Sequence, residues 1–382
     1  MNQYWIFPFC PEPPDFNLDW PALLSRFEWL RAMEGCLQEP LWHEEGDVLT
    51  HTRMVIEALI SDDDWQQLDP ATRSVMFAAA LLHDMAKPSC TMKEDGRIAS
   101  PGHARKGAQM AQKALYHAWP PNDVPVPFRE RRQIVALVRH HALPLWFLDK
   151  PDIERVVITS SLSIRNDLVA LLARADVLGR ICNDQKGLVD RITLFHEFCQ
   201  EHDCLSQAYV FPSNHSRYQY FRTPARSPLY EAYDDTQMEV VMMSGLPGSG
   251  KDVWIGRHPA GYPVVSLDTL REQMGISPED HQGAVVDRAK DMARGYLRQG
   301  QSFIWNATNV TFQMRQGLID LFAAYNVRVR IVYLEAPWSE LLRRNQLRTS
   351  PVPVGVIGRL ADRLDVPEMA EAHQVDWVVP DK

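Results

Sequence analysis

The sequence predicts an α + α/β fold, an all-helical first domain followed by a small domain built on a parallel sheet. Three observations predict it. Apolar residues recur at helical spacing from about residue 20 to 200. After residue 236 the texture changes to short apolar runs alternating with helical stretches. A glycine-rich turn directly follows the first of those runs, Val240–Met243. At 382 residues, 45% apolar and 23% charged, the chain has the length and composition for two globular domains.

The first domain is expected over residues 1–204. Val48, His51, Val55 and Leu59 share one helix face, as do Val75, Ala79, Leu82 and Ala86. Ile134, Leu137, Val138 and His141 follow, then Leu168, Leu171, Leu172 and Ala175. The proline-rich stretches Trp119–Phe128 and Leu143–Pro151 separate them. Over residues 205–236 the periodicity fails and aromatics, Pro and Ser dominate. This reads as a linker or interdomain strap, packed because free linkers seldom carry so many aromatics. The second domain, 237–382, shows strand candidates at Glu239–Met243, Pro263–Ser266, Ser302–Asn306 and Val327–Leu334. Helical stretches begin near Lys251, Gly283, Phe312 and Pro337.

Residues 1–236 hold 24 Lys+Arg against 32 Asp+Glu, and the remainder 16 against 17. Such an acidic balance argues against a sequence-blind nucleic-acid coat, although a local arginine cluster can still hold a nucleic-acid end. The acidic half is compatible with cation sites and equally with solvated carboxylates. Six cysteines without C-x-x-C spacing read as free thiols in a reducing cytoplasm. No apolar stretch approaches the roughly 20 residues of a membrane span. Met1-Asn2-Gln3-Tyr4 lacks the basic start of a signal peptide.

The turn reads Ser244-Gly245-Leu246-Pro247-Gly248-Ser249-Gly250-Lys251-Asp252, with G-x-x-x-x-G-K spacing. Glycines let backbone N–H groups curl around phosphates, and Lys251 reaches their outer oxygens. Asp252 stands where a metal-ligating Ser or Thr is usual. Its carboxylate can bind magnesium directly or through water. Downstream, Asp268 closes the second strand, where it can accept a proton from an attacking hydroxyl. Arg271, three residues on, can clamp a phosphate. Thr308 and Asn309 follow the Ser302–Asn306 strand. Arg344 and Arg348, four apart on one helix face, suit a lid over a transferring phosphate.

In the first half, His51, the His83–Asp84 pair and Asp176 fall on separate helical segments, so they can converge as a metal site. Imidazole and carboxylate suit Zn, Mn, Fe, Co or Ni. His103 and the tandem His140–His141 are further candidates. Lys87 and Arg180 can hold phosphate oxygens or be solvated helix-end cations. His117 and His196 read as surface residues.

The pattern His51, His83-Asp84, Asp176 resembles the HD-domain phosphohydrolases. That resemblance implies one or two metals, the second recruiting His103 with His140 or His141. The stretch Trp42–Thr52 resembles the HD region of tRNA nucleotidyltransferases, which makes His43 a ligand or a phosphate contact. The second half is similar to polynucleotide 5′-kinases of the phage T4 type. Their order of a G-x-P-G-S-G-K loop, D-x-x-R, x-T-N and an arginine lid is present here, the lid with shorter spacing. The resemblance implies ATP or another NTP with Mg2+, held at Gly245, Gly248, Ser249, Gly250, Lys251 and Asp252. It makes Asp268 the general base and places Arg271, Thr308 and Asn309 on the acceptor, with Arg344 and Arg348 on the donor. Together the halves resemble the bacterial HD-Pnk family of RNA end-healing enzymes. The expected partners are RNA or DNA ends and a cooperating RNA ligase, with no membrane. Two alternatives stay open. One is a mononucleotide phosphohydrolase fused to a small-molecule kinase, and the other is a helical domain that only binds RNA.

Overall fold

The computed structural model describes residues 5–116, 126–258, 261–277, 280–348 and 351–379, and it divides into two compact units, Met1–Val210 and Phe211–Lys382. His117 and most of Trp119–Phe128 lie outside the described residues.

The centre of the first unit is the helix Pro70–Leu82. Asp69 caps it through the N–H groups of Ala71 and Thr72, and Pro70 presets its first turn. Its residues from Ser74 to Leu82 are all buried. A helix apolar on every face must be surrounded. Helices Val48–Ile60, Phe128–His140 and Asn166–Leu178 pack against it. Two glycines set how closely the helices approach. A Cβ on Gly179 would sit 2.6 Å from the Val55 nitrogen, so the end of Asn166–Leu178 lies directly on Val48–Ile60. A Cβ on Gly107 would touch Val138 at 3.3 Å, which brings helix His103–Tyr116 onto Phe128–His140. A short antiparallel hairpin, β1 (Met92–Glu94) and β2 (Arg97–Ala99), turns through Asp95 and Gly96 at positive φ. It is too short for a periodicity to announce it. No single helix among the described residues is long and apolar enough to cross a membrane, and the one bent pair that passes on length and composition turns through 104°. All six cysteines are free.

The second unit has a five-stranded, all-parallel sheet. Its strands are β3 (Met238–Ser244), β4 (Val264–Ser266), β5 (Phe303–Asn306), β6 (Val327–Leu334) and β7 (Gln374–Val378), in the order β4-β5-β3-β6-β7. Val240, Met242, Phe303, Trp305, Val329 and Ile331 join one core, whereas Val241, Met243, Ile304, Val332 and Leu334 join the other. Burial on both faces explains why the strands read as continuous apolar runs. Four strands match the sequence reading closely. The fifth, and helix Val354–Ala361, lie in a region where mixed charge and proline hide the pattern.

The segment 205–236 is not one strap. Leu205 and Tyr209 bond to Asp167 and Ser161 inside the first unit. Residues 214–222 form a helix inside the second, and its Arg217 donates to the carbonyls of Met369, Ala372 and His373. The Val329 N–H donates to His373 Nδ1 (3.1 Å), which makes Nε2 the protonated nitrogen, 3.1 Å from His215 Nδ1. Tyr218 stacks on His373 at 3.8 Å.

Burial, with His215 and Arg328 nearby, lowers the His373 pKa to about 3 against the weaker pull of Asp234. The fold therefore holds it neutral, while the unfolded chain protonates it below about 6.5. Its contribution is full above that value and is lost as pH falls toward 3, by at most about 1.4 kcal/mol per pH unit. The Val329 amide protection factor should fall between pH 7 and 5 in the unaltered protein and fall less in His373→Gln. Equal pH dependence in both would show that this histidine is not the titrating group.

Candidate functional site

In the first unit, separate elements bring seven of the proposed ligands and contacts together. His51 lies in Val48–Ile60, which Asp47 caps. His83 and Asp84 lie just past the end of Pro70–Leu82, so the pair sits where the chain leaves the helix rather than within it. His103 starts its helix, His141 ends Phe128–His140, and Asp176 lies in Asn166–Leu178. His43 is buried beside His51, with ring centroids 4.8 Å apart.

The carboxylate of Asp84, 1% exposed, is the hub. Its Oδ2 lies 3.2 Å from His83 Nε2, 3.8 Å from His51 Nε2 and 2.7 Å from Lys87 Nζ. Its Oδ1 lies 3.6 Å from His103 Nε2 and 4.0 Å from His141 Nε2. Asp176 Oδ1 is 3.0 Å from His51 Nε2. His83, His103 and His141 each donate Nδ1–H to a carbonyl three residues back, Ala80, Ser100 and Val138. That bond leaves each neutral ring with its Nε2 lone pair free, the tautomer a metal ligand needs. His103 Nε2 and His141 Nε2 then face each other at 3.3 Å, two acceptors with no proton between them.

These atoms fit a cation. His83 Nε2 and both Asp84 oxygens are buried without a hydrogen-bond partner, an arrangement that costs free energy unless something positive completes it. Ligand-capable groups form at His51, His83 and Asp176, and at Asp84, His103 and His141. The tandem histidine resolves to His141, while His140 belongs to neither group. Burial alone would raise the Asp84 pKa, but His83 in its protonated form, and then Lys87, reverse this and hold it well below the usual carboxylate range. Asp176 is likewise lowered against burial, chiefly by Arg180. Burial, with His83 nearby, lowers His141 to about 3, so its lone pair is available.

Lys87 and Arg180 are not solvated helix-end cations. Lys87 is buried, donates to Gln38 Oε1 and stands in ion-pair contact with Asp84. Arg180 makes two hydrogen bonds to Asp176. Glu45 escaped the sequence reading although it lies in the quoted Trp42–Thr52 stretch. Its Oε1 accepts from His43 Nδ1 (2.7 Å) and lies 3.0 Å from His51 Nδ1, and its Oε2 accepts from the Ile181 N–H. Glu45 therefore aims the His51 Nε2 at Asp84 and Asp176. Burial lowers His43 to about 4 even though Glu45 pulls the other way.

In the second unit the loop follows β3 at the carboxyl end of the sheet, where such sheets bind ligands. Gly245 and Gly248 have φ of 142° and 85°, and a Cβ would lie 2.3 Å from the Leu334 carbonyl oxygen and 2.9 Å from that of Leu341. Only glycine fits either position. Lys251 Nζ donates to the Gly245 and Leu246 carbonyls (2.9 and 3.0 Å), so the loop itself holds the ammonium in place. Burial lowers its pKa to about 8, against Asp252 and Asp268. Ser249 Oγ is buried without a partner.

Asp268 lies inside helix Leu267–Met274, whose cap is Ser266, so Asp268 is not a helix cap. It pairs with Arg271 and, at 3.3 Å, with Arg348. Arg271 also donates to Gln282. Arg344 is held by Glu340 (2.6 Å) and reaches the Ser249 carbonyl at 3.4 Å. Asn345 pins the chain beyond the helix through two hydrogen bonds to Val352. Asn309 differs from its expected acceptor role. Its side chain is buried and donates to the Met243 carbonyl, so it braces the loop. Thr308 stays partly exposed, and its carbonyl accepts from Gly245 N–H.

A family model described as an AAA domain matches residues 240–367. The chain is similar to an L-seryl-tRNA(Sec) kinase of Methanococcus maripaludis, 24% identical over 149 residues, which cover 37% of this chain and 57% of that protein. The chain thus spans little more than half the length of this curated relative. A solved structure of a putative kinase from Chloroflexus aurantiacus is 19% identical, covering 38% of this chain and 86% of that one at a TM-score of 0.32. The second unit contains a P-loop kinase-like domain, which implies an NTP with Mg2+.

Removing the Glu45 carboxylate frees two imidazoles to rotate. Glu45→Ala should weaken transition-metal binding about 10- to 100-fold, the usual cost of losing a partner behind a metal ligand. Titration with Zn2+ or Mn2+ against a chelating dye measures this, and an unchanged affinity would remove Glu45 from the site.

Proposed function

We propose that the chain is a bifunctional nucleic-acid end-processing enzyme. In this reading the second unit phosphorylates 5′-hydroxyl ends with an NTP. The first unit removes 2′-, 3′- or 2′,3′-cyclic phosphate by metal-dependent hydrolysis. The observation that carries it is the pairing, in one chain, of a phosphate-binding loop with a buried carboxylate flanked by two nitrogen clusters.

For the hydrolase, the two Asp84 oxygens face different histidine groups, so one carboxylate can serve two ions. His51, His83 and Asp176 complete one set, and His103 and His141 the other. When bound, such ions neutralise phosphate oxygens and lower the pKa of water to near neutrality. Lys87 and Gln38 fix Asp84, Arg180 fixes Asp176, and Glu45 fixes His51. His43, buried beside His51, is a further ligand or phosphate contact in this reading.

For the kinase, Lys251 and the loop N–H groups hold the donor phosphates. Arg344 and Arg348 neutralise charge as the bond between the γ-phosphorus and its bridging oxygen breaks. Asp268 takes the proton of the acceptor hydroxyl as its oxygen bonds to that phosphorus, and NDP departs. Arg271 and Arg348 pair with Asp268 and orient it. A polynucleotide acceptor is supported by the resemblance of the four ordered motifs. The similar archaeal protein, named for a seryl-tRNA substrate, also supports an RNA-borne hydroxyl.

The two activities use different units and should separate. With a 5′-hydroxyl, 3′-phosphate RNA, ATP and Mn2+ or Mg2+, Lys251→Ala should lose 5′ phosphorylation by at least 100-fold and keep 3′ dephosphorylation. Asp84→Ala should do the reverse and lose bound metal. Loss of both activities in either folded variant would refute separate sites, and phosphorylation of mononucleotides alone would refute a polynucleotide acceptor.

Asp268→Asn keeps the shape and removes the base. General-base catalysis contributes about 10²–10⁴-fold, so kcat should fall by at least about 10²-fold, with nucleotide affinity little changed. A kcat near that of the unaltered protein would assign proton transfer elsewhere.

A further inference from the structure

The second residue of helix Lys251–Arg257 is a carboxylate, and a neighbouring strand holds it in place. Asn306 ends β5, is 9% exposed, and donates its Nδ2 to Asp252 Oδ1 at 2.7 Å. Among the described residues Asn306 is the one hydrogen-bond partner of the Asp252 side chain, and Asp252 is otherwise exposed. An amide that donates to one carboxylate oxygen fixes the group's orientation without neutralising its charge. The other oxygen keeps its full capacity for a cation.

We infer that Asp252 makes the loop recognise a divalent cation and the nucleotide as one ligand, so that metal–NTP binds and metal-free NTP is rejected. This deepens the kinase reading of the second unit and rests on it. The charges dictate the direction. A metal-free NTP brings several negative charges to a loop whose lysine is already flanked by the carboxylates of Asp252 and Asp268. A hydroxyl at position 252 would be neutral toward that ligand, whereas a carboxylate repels it. A divalent ion between Asp252 and the phosphates converts the repulsion into two attractions, and oxygen donors of this kind suit Mg2+. The coupling is reciprocal, so nucleotide must raise metal affinity by the same factor.

The residues fit the ion on donor chemistry alone. Asp252 supplies the hard oxygen, Asn306 fixes it, and the nearby Lys251 is tied back to the Gly245 and Leu246 carbonyls rather than to Asp252. That separation leaves the carboxylate free for a cation.

The test is a binding measurement on the full chain, with no catalytic readout. ATP dissociation constants are compared in excess Mg2+ and in EDTA for the unaltered protein, Asp252→Asn and Asp252→Ser. Asparagine keeps the oxygen that accepts from Asn306 and removes only the charge. The ratio of the EDTA constant to the Mg2+ constant should be at least 100 in the unaltered protein. It should fall at least tenfold in Asp252→Asn, because metal-free binding tightens while Mg2+-supported binding weakens. Asp252→Ser should also tighten metal-free binding. Electron paramagnetic resonance of Mn2+ with ADP should show the matching loss of metal affinity in Asp252→Asn. A ratio within twofold of the unaltered value overturns the inference and leaves the loop a nucleotide site. If the unaltered protein binds no nucleotide in either condition, the kinase reading falls, and this inference with it.

Discussion

A carboxylate removed from water must be repaid in opposite charge or hydrogen bonds, and Asp84 is the point where this rule organises the first unit. Its burial follows from its place at the end of a helix that is apolar on every face. Lys87 compensates it from the same chain segment, and the adjacent His83 with three histidines from other helices presents nitrogen atoms around it. Each of those histidines is itself fixed, three by carbonyls one turn back and His51 by Glu45. The cluster is therefore a nested set of constraints. Nothing in it is free to turn away without leaving a buried charge exposed to a low-dielectric interior.

The second unit solves the reverse problem, a cation that must wait for an anion. Lys251 rests on two loop carbonyls, and these are weak substitutes for phosphate. Replacement by phosphate oxygens exchanges neutral acceptors for charged ones. The glycines matter for a geometric reason, since Leu334 and Leu341 crowd the loop with their backbone carbonyls. Strand β6 and the helix Trp338–Gln346 thus shape a loop that lies some ninety residues earlier in the chain. That same helix carries Arg344, so one element both forms the wall of the loop and supplies its arginine.

Much of this is legible in the sequence alone. Strands buried on both faces announce themselves as apolar runs, and the loop announces itself through glycines that no other residue can replace. His51, His83, Asp84 and Asp176 stand out because metal-ligating residue types are uncommon inside apolar helices. What stayed hidden depended on partners distant in sequence. Glu45 looks like any acidic loop residue until His43 and His51 close on it. Choosing His141 over the adjacent His140 requires the helix rotation, which is set by packing. Asn309 reads as an acceptor contact because its motif is right, yet its φ of 43° and its bond to Met243 make it a brace. The helix 214–222 shows no clean periodicity because its buried side chains are His215, Ser216, Arg217, Tyr218 and Tyr220, and polar burial leaves no hydrophobic stripe.

That helix has a consequence for how the protein is made. Beyond its bond to the nearby Asn214, Arg217 is satisfied by carbonyls of residues 369–373, about 150 positions later. At ribosomal speeds of roughly 5–20 residues per second, Tyr218 waits on the order of ten seconds for His373, the ring that stacks on it. The first unit has no such delay, because its segments pair within its own 210 residues. Synthesis therefore delivers a finished helical body while the kinase-like body still lacks its closing strand. During that interval the nascent second unit exposes aromatic surface, which makes it the stage at which chaperones have something to hold.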